Sequence, residues 1–208
     1  MAIVEPISPE GAPRRYALRS PVDLSPIGEL ACTPDEEVRA AVARARVAQR
    51  AWAQRSFEER AEPMWRLLDL FVQRQEEVIA AVMRETGKAR AEAIAMEVYA
   101  PCDSISYYAK NARRFLAPQK RRIHGLMGLA KKLRVVYKPL GVVGLIAPWN
   151  FPWAIPVWKS APALVAGNCV VFKPSELVPA TAAILTEVYE EAGLPPGVFN
   201  MVVGSGPE

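Results

Sequence analysis

The spacing of hydrophobic positions divides the chain into a helical first part and a mixed α/β second part. Between about residues 33 and 115, apolar residues recur three and four positions apart, which predicts amphipathic helices that bury one face. From residue 133 onward, short apolar runs alternate with helical patterns. The first 32 residues are rich in proline and polar residues, and Tyr16-Ala-Leu18 is predicted there as an edge strand, where nearby prolines are tolerated.

Residue types at the ends of the helical patterns predict where the helices begin and end. Thr33-Pro34-Asp35-Glu36 combines Thr33 as an N-cap with a proline at the first helical position and acids in the first turn. Ser56-Phe-Glu-Glu59 is a capping box that opens a second helix, and Gly87 predicts where that helix ends. A third helix is predicted over about 88–115, with Pro101 at a kink or in an early turn. We interpret the apolar stripes of these helices as core packing.

Three short apolar runs in the second part predict a parallel sheet. They cover residues 141–147, 169–172 and 198–203, and two helical segments, about 154–166 and 179–193, lie between them. Strands that alternate with helices at this spacing are typical of β-α-β units, and near-continuous apolar runs are typical of parallel strands buried on both faces. The predicted fold class is therefore α/β, with N-terminal helices followed by the first half of a doubly wound parallel sheet of the Rossmann type.

This pattern predicts three regions along the chain. Residues 1–117 form the helical part, residues 118–140 a basic connector and a strand, and residues 141–208 the first strands of the parallel sheet. The last apolar run is followed by Gly204-Ser-Gly-Pro-Glu208, where a further helix would be expected. We therefore expect an incomplete sheet and a truncated chain.

Composition and charge fit an ordinary globular protein. The 208 residues are 51% hydrophobic and 23% charged, with a net charge of +4, which is too small an excess to indicate nucleic-acid binding. Cys32, Cys102 and Cys169 are widely spaced, so we predict neither a disulfide framework nor a metal site and favour a reducing, cytoplasmic setting. The sequence shows no secretory signal pattern and no apolar stretch long enough to span a membrane.

Polar residues follow each predicted strand, at the edge where open α/β sheets bind ligands. Asn150 lies between two prolines, and its amide is either an oxyanion donor or, as the residue types alone favour, a turn-forming group. Lys173 and Glu176 are candidates for binding ribose hydroxyls, and the alternative is a loop ion pair with Ser175 as the N-cap of the next helix. The glycine-rich turn at 204–206 would allow the backbone to approach a pyrophosphate.

Several motifs in a fixed order carry a resemblance to a known family. They are Leu140-Gly-Val-Val-Gly-Leu-Ile-Ala-Pro-Trp-Asn-Phe-Pro152, Lys159-Ser-Ala-Pro-Ala-Leu-Val-Ala-Gly-Asn168, Val171-Phe-Lys-Pro-Ser-Glu176 and Ala192-Gly-Leu-Pro-Pro-Gly-Val-Phe-Asn200, with Ala51-Trp52 and Glu85-Thr-Gly-Lys88 upstream. This ordered set resembles the NAD(P)-dependent aldehyde dehydrogenase superfamily over nearly the whole chain. The resemblance reverses the interpretation of Asn150 in favour of the oxyanion donor.

The resemblance implies roles for individual residues. Asn150 matches the catalytic asparagine whose amide stabilises the oxyanion of a thiohemiacetal. The implied cofactor-binding residues are Ile146, Ala147, Pro148 and Trp149 at the nicotinamide ribose and phosphates, Lys173 and Glu176 with Ser175 at the adenosine ribose, and Gly206 and Pro207 at the adenine side. Glu176 resembles the NAD-preferring version, so NAD is the expected cofactor, with NADP possible.

The resemblance also implies a covalent mechanism and an incomplete active site. In the family a cysteine thiolate attacks the aldehyde and a glutamate activates water, and both groups lie downstream of the region matched here. None of the three cysteines lies in the nucleophile motif. We therefore expect the N-terminal portion of an enzyme that oxidises a small-molecule aldehyde to a carboxylic acid. The chain alone is expected to be inactive, and the complete enzyme to be a homodimer or homotetramer.

Two alternatives stay open at this point. A stand-alone, non-catalytic module would bind a nucleotide or dimerise through its sheet edge. A membrane-surface association would use the basic connector, but charge runs usually form a solvated face, so membrane association is not favoured. By resemblance, the connector instead leads into a strand that contributes to the oligomerisation region.

Overall fold

The computed structural model describes residues 3–8 and 14–206 of the chain. Its strands form three separate sheets, and a series of helices lies between the first sheet and the second. In chain order they are β1 (Ile3–Pro6), β2 (Arg15–Arg19), β3 (Pro26–Ala31), α1 (Asp35–Gln54), α2 (Phe57–Gln73), α3 (Gln75–Thr86), α4 (Arg90–Glu92), a π-helical segment (Ala93–Tyr99), α5 (Ala100–Leu116), β4 (Gln119–Arg121), α6 (Met127–Ala130), β5 (Leu133–Val135), β6 (Val142–Ile146), α7 (Ala154–Val165), β7 (Cys169–Lys173), α8 (Pro179–Glu191) and β8 (Phe199–Met201).

The N-terminal strands form a small antiparallel sheet in the order β1-β2-β3. The segment predicted as an edge strand lies in β2, which is the central strand, so that part of the prediction is wrong. Two partners are available to β2 because β1 and β3 each return antiparallel beside it. Leu18 of β2 and Leu30 of β3 are the buried hydrophobic residues of this sheet.

The predicted parallel sheet is confirmed, with β6, β7 and β8 adjacent in that order. The register pairs Val142 with Cys169 and Val170 with Phe199. Four successive residues of β7 are buried although neighbouring side chains point to opposite faces, so both faces of the sheet are covered. Helix α1 packs on all three strands, α7 on β6 and β7, and α8 on β8.

The remaining long helices pack as a layer in which α2 contacts α5, α7 and α8, and α3 contacts α8. Their predicted apolar stripe is largely buried, as expected for core packing. Its fully buried members are Met64, Leu67, Phe71, Val78, Ile79 and Val82.

The second predicted helix is in fact two helices, α2 and α3, separated at Arg74. Arg74 leaves helical geometry, with φ −98° and ψ 12°. Its guanidinium binds the carboxylates of Glu77, Glu187 and Glu191 at 2.7–2.9 Å. The break therefore lies where the chain is tied to α8, a partner that local periodicity does not reveal.

Two predicted helix boundaries are confirmed, since Ser56 forms the capping box of α2 and Gly87 ends α3 in the left-handed conformation with φ 74°. The third predicted helix is divided into α4, the π-helical segment and α5, and Pro101 lies in the first turn of α5. The predicted N-cap Thr33 is wrong, because its hydroxyl oxygen accepts a hydrogen bond from the N–H of Val203 (2.9 Å) instead of capping α1. Thr33 thus connects the start of α1 to the end of β8.

Helix α7 is fixed at its C-terminal end by polar side chains of the helical layer. The indole N–H of Trp52 donates to the carbonyl of Leu164 (2.9 Å), and Nε of the buried Arg60 donates to the carbonyl of Val165 (2.8 Å). Both carbonyls belong to the last turn of α7, where carbonyls lack the usual partners four residues further along the helix. The position of α7 along its axis is therefore set by residues far away in sequence.

The basic connector forms a hairpin of β4 and β5, with α6 in the loop between them. Leu126 and Leu129 in this loop are 85% and 87% exposed. The boundaries at 117/118 and 140/141 stay predictions. Among the described residues, no helix combines the length and the apolar character needed to cross a membrane.

Candidate functional site

The carboxyl ends of the three parallel strands lie side by side at one edge of the sheet. Ile146 pairs with Lys173 in the register, and the N–H of Ala147 donates to the carbonyl of Lys173 (3.1 Å). On the other side of β7, the N–H of Val202 donates to the carbonyl of Phe172 (2.9 Å). The three segments that the sequence singled out are therefore brought to the same edge, where α/β sheets bind ligands.

The loop between β6 and α7 presents Asn150 to solvent. Ile146 is 72% and Trp149 is 39% exposed, and Pro148 is exposed beside them, whereas Ala147 is buried and bound to β7 through its backbone. Within the described part of the chain, the carboxamide of Asn150 has no hydrogen-bond partner. A turn-forming asparagine would make a hydrogen bond from its side chain to the backbone of its own loop, and the described residues show no such bond for Asn150.

Lys173, Ser175 and Glu176 follow β7 in one short loop. Nζ of Lys173 donates to the carbonyl of Pro174 (2.9 Å) and lies 3.8 Å from Oε2 of Glu176. Both side chains remain partly exposed, at 20% and 29%, so either can exchange this contact for a ligand hydroxyl. Ser175 does not cap α8 as one interpretation predicted, because its Oγ accepts from a backbone N–H inside the loop (3.3 Å) and makes no bond to the helix.

The N-terminus of α8 is instead bound by Glu85, a residue of α3 that is 1% exposed. Its carboxylate accepts from the N–H of Ala180 (2.8 Å), the N–H of Thr181 (2.9 Å) and the hydroxyl of Thr181 (2.6 Å). Burial raises the pKa of Glu85, and these hydrogen bonds oppose part of that rise. Glu85 therefore fixes the start of α8 directly after the Lys173 loop.

The raised pKa of Glu85 predicts a pH dependence of stability that Glu85→Gln should remove. The folded chain binds this proton more tightly than the unfolded chain, so Glu85 contributes stability below the ordinary glutamate pKa of 4.5. That contribution is lost as the pH rises through the raised pKa. In urea unfolding between pH 4 and pH 8, roughly the range over which such a group titrates, the free energy of unfolding of the parent should fall relative to Glu85→Gln. If the difference in the free energy of unfolding between the parent and Glu85→Gln were the same at every pH, the expectation would be contradicted.

A second buried glutamate, Glu97, binds the N-terminus of α7. Glu97 is 0% exposed and accepts from the N–H groups of Trp153 (3.1 Å) and Ala154 (2.9 Å). Nζ of Lys88 lies 2.5 Å from the same carboxylate and 4.1 Å from the ring centre of Phe151. The N-termini of α7 and α8, the two helices that follow the site loops, are therefore each bound by a buried carboxylate from a preceding helical segment.

Neither glutamate is predicted as a capping residue when the helical stripes are interpreted as core packing alone. A signal was present, since Glu85 follows the buried Val82 by three positions and Glu97 follows the buried Ala93 by four. Such spacing places a carboxylate on the buried face of its helix. A buried charge requires partners, so an acid within an apolar stripe indicates a specific polar contact.

The third strand end offers backbone groups of its glycine-rich turn. After β8, the carbonyl of Val203 accepts from the N–H of Thr33 (2.8 Å), and Gly206 lies exposed at the end of the described residues. Pro207, also predicted to bind the cofactor, lies outside the described residues. The predicted cofactor-binding roles at this strand end stay predictions.

Cys102 and Cys169 form no disulfide, and no cysteine lies at the carboxyl ends of β6, β7 and β8. Burial raises the pKa of Cys169 to about 12, and burial followed by the nearby Asp103 raises the pKa of Cys102. Protonated, buried thiols are poor nucleophiles at neutral pH. Within residues 3–8 and 14–206, no three His, Cys, Asp or Glu side chains are grouped so that they could hold a metal ion.

A cavity of about 570 Å³ lies beside this edge, between β3, α3, α8 and the end of β8, and Pro179, Ala180 and Val203 belong to its lining. Its lining is mostly apolar, and Glu85, which reaches it, already accepts three hydrogen bonds. The exposed polar groups at the strand ends, next to this cavity, are the better candidates for ligand contacts.

The fold is that of an α/β protein with the first strands of a Rossmann-type sheet, and polar residues follow the carboxyl ends of those strands. The sequence also matches the model of the Aldehyde dehydrogenase family over residues 8–208. The chain therefore belongs to the aldehyde dehydrogenase family.

Solved structures with the same fold agree with this assignment. An NAD-dependent aldehyde dehydrogenase from Sinorhizobium meliloti is 39% identical, with a TM-score of 0.82 over 90% of this chain and 37% of that one. A mutant of aldehyde dehydrogenase C from Pseudomonas syringae, in complex with NAD+ and octanal, is 35% identical, with a TM-score of 0.85 over 97% of this chain and 40% of that one. An NADP-dependent enzyme from E. coli is 33% identical, with a TM-score of 0.84 over 90% and 38%. The chain thus spans about two fifths of the length of these structures.

Proposed function

We propose that this chain supplies the cofactor-binding strands and the oxyanion asparagine of an NAD(P)-dependent aldehyde dehydrogenase. The reaction converts an aldehyde, NAD(P)+ and water into a carboxylate and NAD(P)H. The observation that carries the proposal is the unpartnered, exposed carboxamide of Asn150, in a loop whose following helix is fixed at both ends.

Asn150 has the chemistry needed at the oxyanion. Attack of a thiolate on the aldehyde carbon moves the carbonyl electron pair onto oxygen, and the Nδ2–H groups of Asn150 would donate to that negative charge. Loss of a hydride from the same carbon re-forms the carbonyl as a thioester, and water then releases the acid and the thiolate. A bound nicotinamide cofactor supplies the acceptor for the hydride.

We propose that the nucleophilic thiolate and the general base lie in the part of the family fold that these 208 residues do not cover. The raised pKa values of Cys102 and Cys169 support this division, because neither thiol is activated. Cys32 precedes α1 and is not among the residues that follow the three parallel strands.

Lys173 and Glu176 fit the ribose hydroxyls of a nicotinamide cofactor. An ammonium and a carboxylate that already lie 3.8 Å apart can donate to one hydroxyl oxygen and accept from its neighbour. The carboxylate would disfavour a 2′-phosphate, so we propose NAD as the preferred cofactor. The similar solved structures include an NAD-dependent and an NADP-dependent enzyme, so a binding titration should compare the affinities for NAD+ and NADP+.

The setting and assembly of the complete enzyme are inferred from exposed and buried side chains. Cys102 and Cys169, which form no disulfide, support a reducing, cytoplasmic setting. Leu133, Val135 and Tyr137, on and just after β5, are 37–48% exposed, and we propose that this hairpin contacts a second subunit in a homodimer or homotetramer.

Lys173→Ala should weaken NAD+ binding to this chain about ten- to hundredfold. The substitution removes one charge-assisted hydrogen bond, which is worth about 1.5–3 kcal/mol. Isothermal titration with NAD+ and NADP+ measures the change. Lys138→Ala is the matched control, because Lys138 is exposed on the approach to β6, at the opposite end of the strand. Equal affinities for the parent and Lys173→Ala would refute the ribose-binding role.

A further inference from the structure

The loop that carries Asn150 is held by a buried ion pair from a distant part of the chain. Glu97 binds the N–H groups of Trp153 and Ala154, three and four residues after Asn150. Lys88 binds Glu97 and lies over the ring of Phe151, the residue next to Asn150. The pair therefore contacts this loop at three positions within four residues of the carboxamide.

The chain geometry around Glu97 is unusual. Glu97 lies in the π-helical segment Ala93–Tyr99, between α4 and α5. Wide π turns change the direction of the side chains that they carry, and they occur often at functional sites. The Glu97 carboxylate, which this segment carries, contacts the start of α7, so the irregular backbone lies at the residue that binds the end of the Asn150 loop.

A comparison with Glu85 indicates what Lys88 adds. Glu85 caps α8 with three hydrogen bonds and, among the described residues, without an ion pair, so capping a helix here needs no cation. Glu97 caps α7 with two hydrogen bonds and has Lys88 in addition, with side-chain exposures of 0% and 11%. The added cation contacts Phe151, which belongs to the Asn150 loop rather than to the helix.

We propose that Lys88 and Glu97 are positioning residues for Asn150. They hold the loop between β6 and α7 in the conformation that aims the Asn150 carboxamide outward from the strand edge. The inference rests on the proposed function, because an ordered loop matters for the reaction only if Asn150 is the oxyanion donor. Neither residue contacts the reacting atoms.

The test uses NMR of the 208-residue chain labelled with 15N-asparagine. The chain contains four asparagines, Asn111, Asn150, Asn168 and Asn200, and the spectrum of Asn150→Ala assigns the signal of interest. Lys88→Met should shift the side-chain amide pair of Asn150 and lower its backbone order parameter from about 0.85 to below about 0.6. Lys88→Arg keeps the charge and should restore both. Glu97→Gln keeps an acceptor for the α7 N–H groups but removes the charge that binds Lys88. It should therefore shift the Asn150 signals and lower the order parameter, as Lys88→Met does.

Internal controls separate positioning from general loosening. Asn168 and Asn200 are held by their own backbone contacts, at 3.1 Å to Ala163 and 2.8 Å to Gly197, and should not change. Arg113→Met, which breaks an exposed ion pair with Glu58 in the same helical layer, should leave Asn150 unchanged. An unchanged Asn150 in Lys88→Met and Glu97→Gln, or equal changes at all four asparagines, would overturn the proposal. The NMR experiment needs neither cofactor nor aldehyde. The proposed positioning of Asn150 and the proposed dehydrogenase function can therefore fail independently of each other.

Discussion

Replacing Asn150 by alanine should lower kcat for aldehyde oxidation about 10²- to 10³-fold, with little change in NAD+ affinity. The experiment requires an enzyme of family length that contains this chain. The loss corresponds to one oxyanion donor, about 2.7–4 kcal/mol of transition-state stabilisation. The carboxamide bonds no other group in the described structure, so its removal breaks no structural contact. The change should therefore fall on the transition state, where charge develops on the aldehyde oxygen.

Two further variants sharpen the Asn150 experiment. Asn150→Asp has nearly the same shape but replaces the N–H donors with a carboxylate, so it should be at least as damaging as alanine. Asn111→Ala is the control, because the Asn111 amide bonds only the Tyr107 carbonyl within α5 (2.8 Å). Steady-state NADH formation gives kcat, and cofactor titration gives the NAD+ affinity. A loss confined to NAD+ affinity would assign Asn150 to cofactor binding and remove the oxyanion role.

The elements of the fold could be predicted because their causes are local. The apolar runs that became β6, β7 and β8 are flanked by glycine and proline, and the capping box at Ser56 involves residues only three positions apart. Hydrophobic periodicity also identified the buried stripe of α2 and α3. Local rules suffice wherever a structure is stabilised mainly by near neighbours in sequence.

The predictions that failed depend on contacts between distant residues. Thr33 bonds the end of β8, 170 residues away, instead of capping α1. Arg74 breaks the helix where it binds Glu187 and Glu191, more than 110 residues away. Ser175 does not cap α8 because Glu85, from α3, occupies that helix end. Residue type alone cannot distinguish a local cap from a distant one, since both use the same donors and acceptors.

The candidate site was predictable in position but not in detail. Parallel strands bring their carboxyl ends together, so the loops after residues 146, 173 and 203 had to share an edge. Spacing could not decide whether Asn150 forms a turn or donates to a ligand, and the resemblance to the family made that choice. The structure adds that the carboxamide is exposed and has no hydrogen-bond partner among the described residues, so the oxyanion role stays a proposal.

Replacing Glu85 by alanine should lower the free energy of unfolding by about 3–5 kcal/mol. The substitution removes the acceptor from three donors at the start of α8, of which the two on Thr181 are buried, and each buried, unsatisfied group costs about 1–3 kcal/mol. Whole domains are stable by only about 5–15 kcal/mol, so a loss of this size is a large part of the total. Urea unfolding at neutral pH, followed by circular dichroism, measures it.

Matched variants decide whether the Glu85 effect comes from the helix contact. Glu85→Gln retains an acceptor oxygen for part of the network, so it should lose less stability than alanine. Glu92→Ala removes an exposed glutamate seven residues further along and should change stability by no more than about 0.5 kcal/mol. If Glu85→Ala were as mild as Glu92→Ala, the α8 N–H groups would have another partner. The start of α8, and with it the placement of the Lys173 loop, would then not depend on α3.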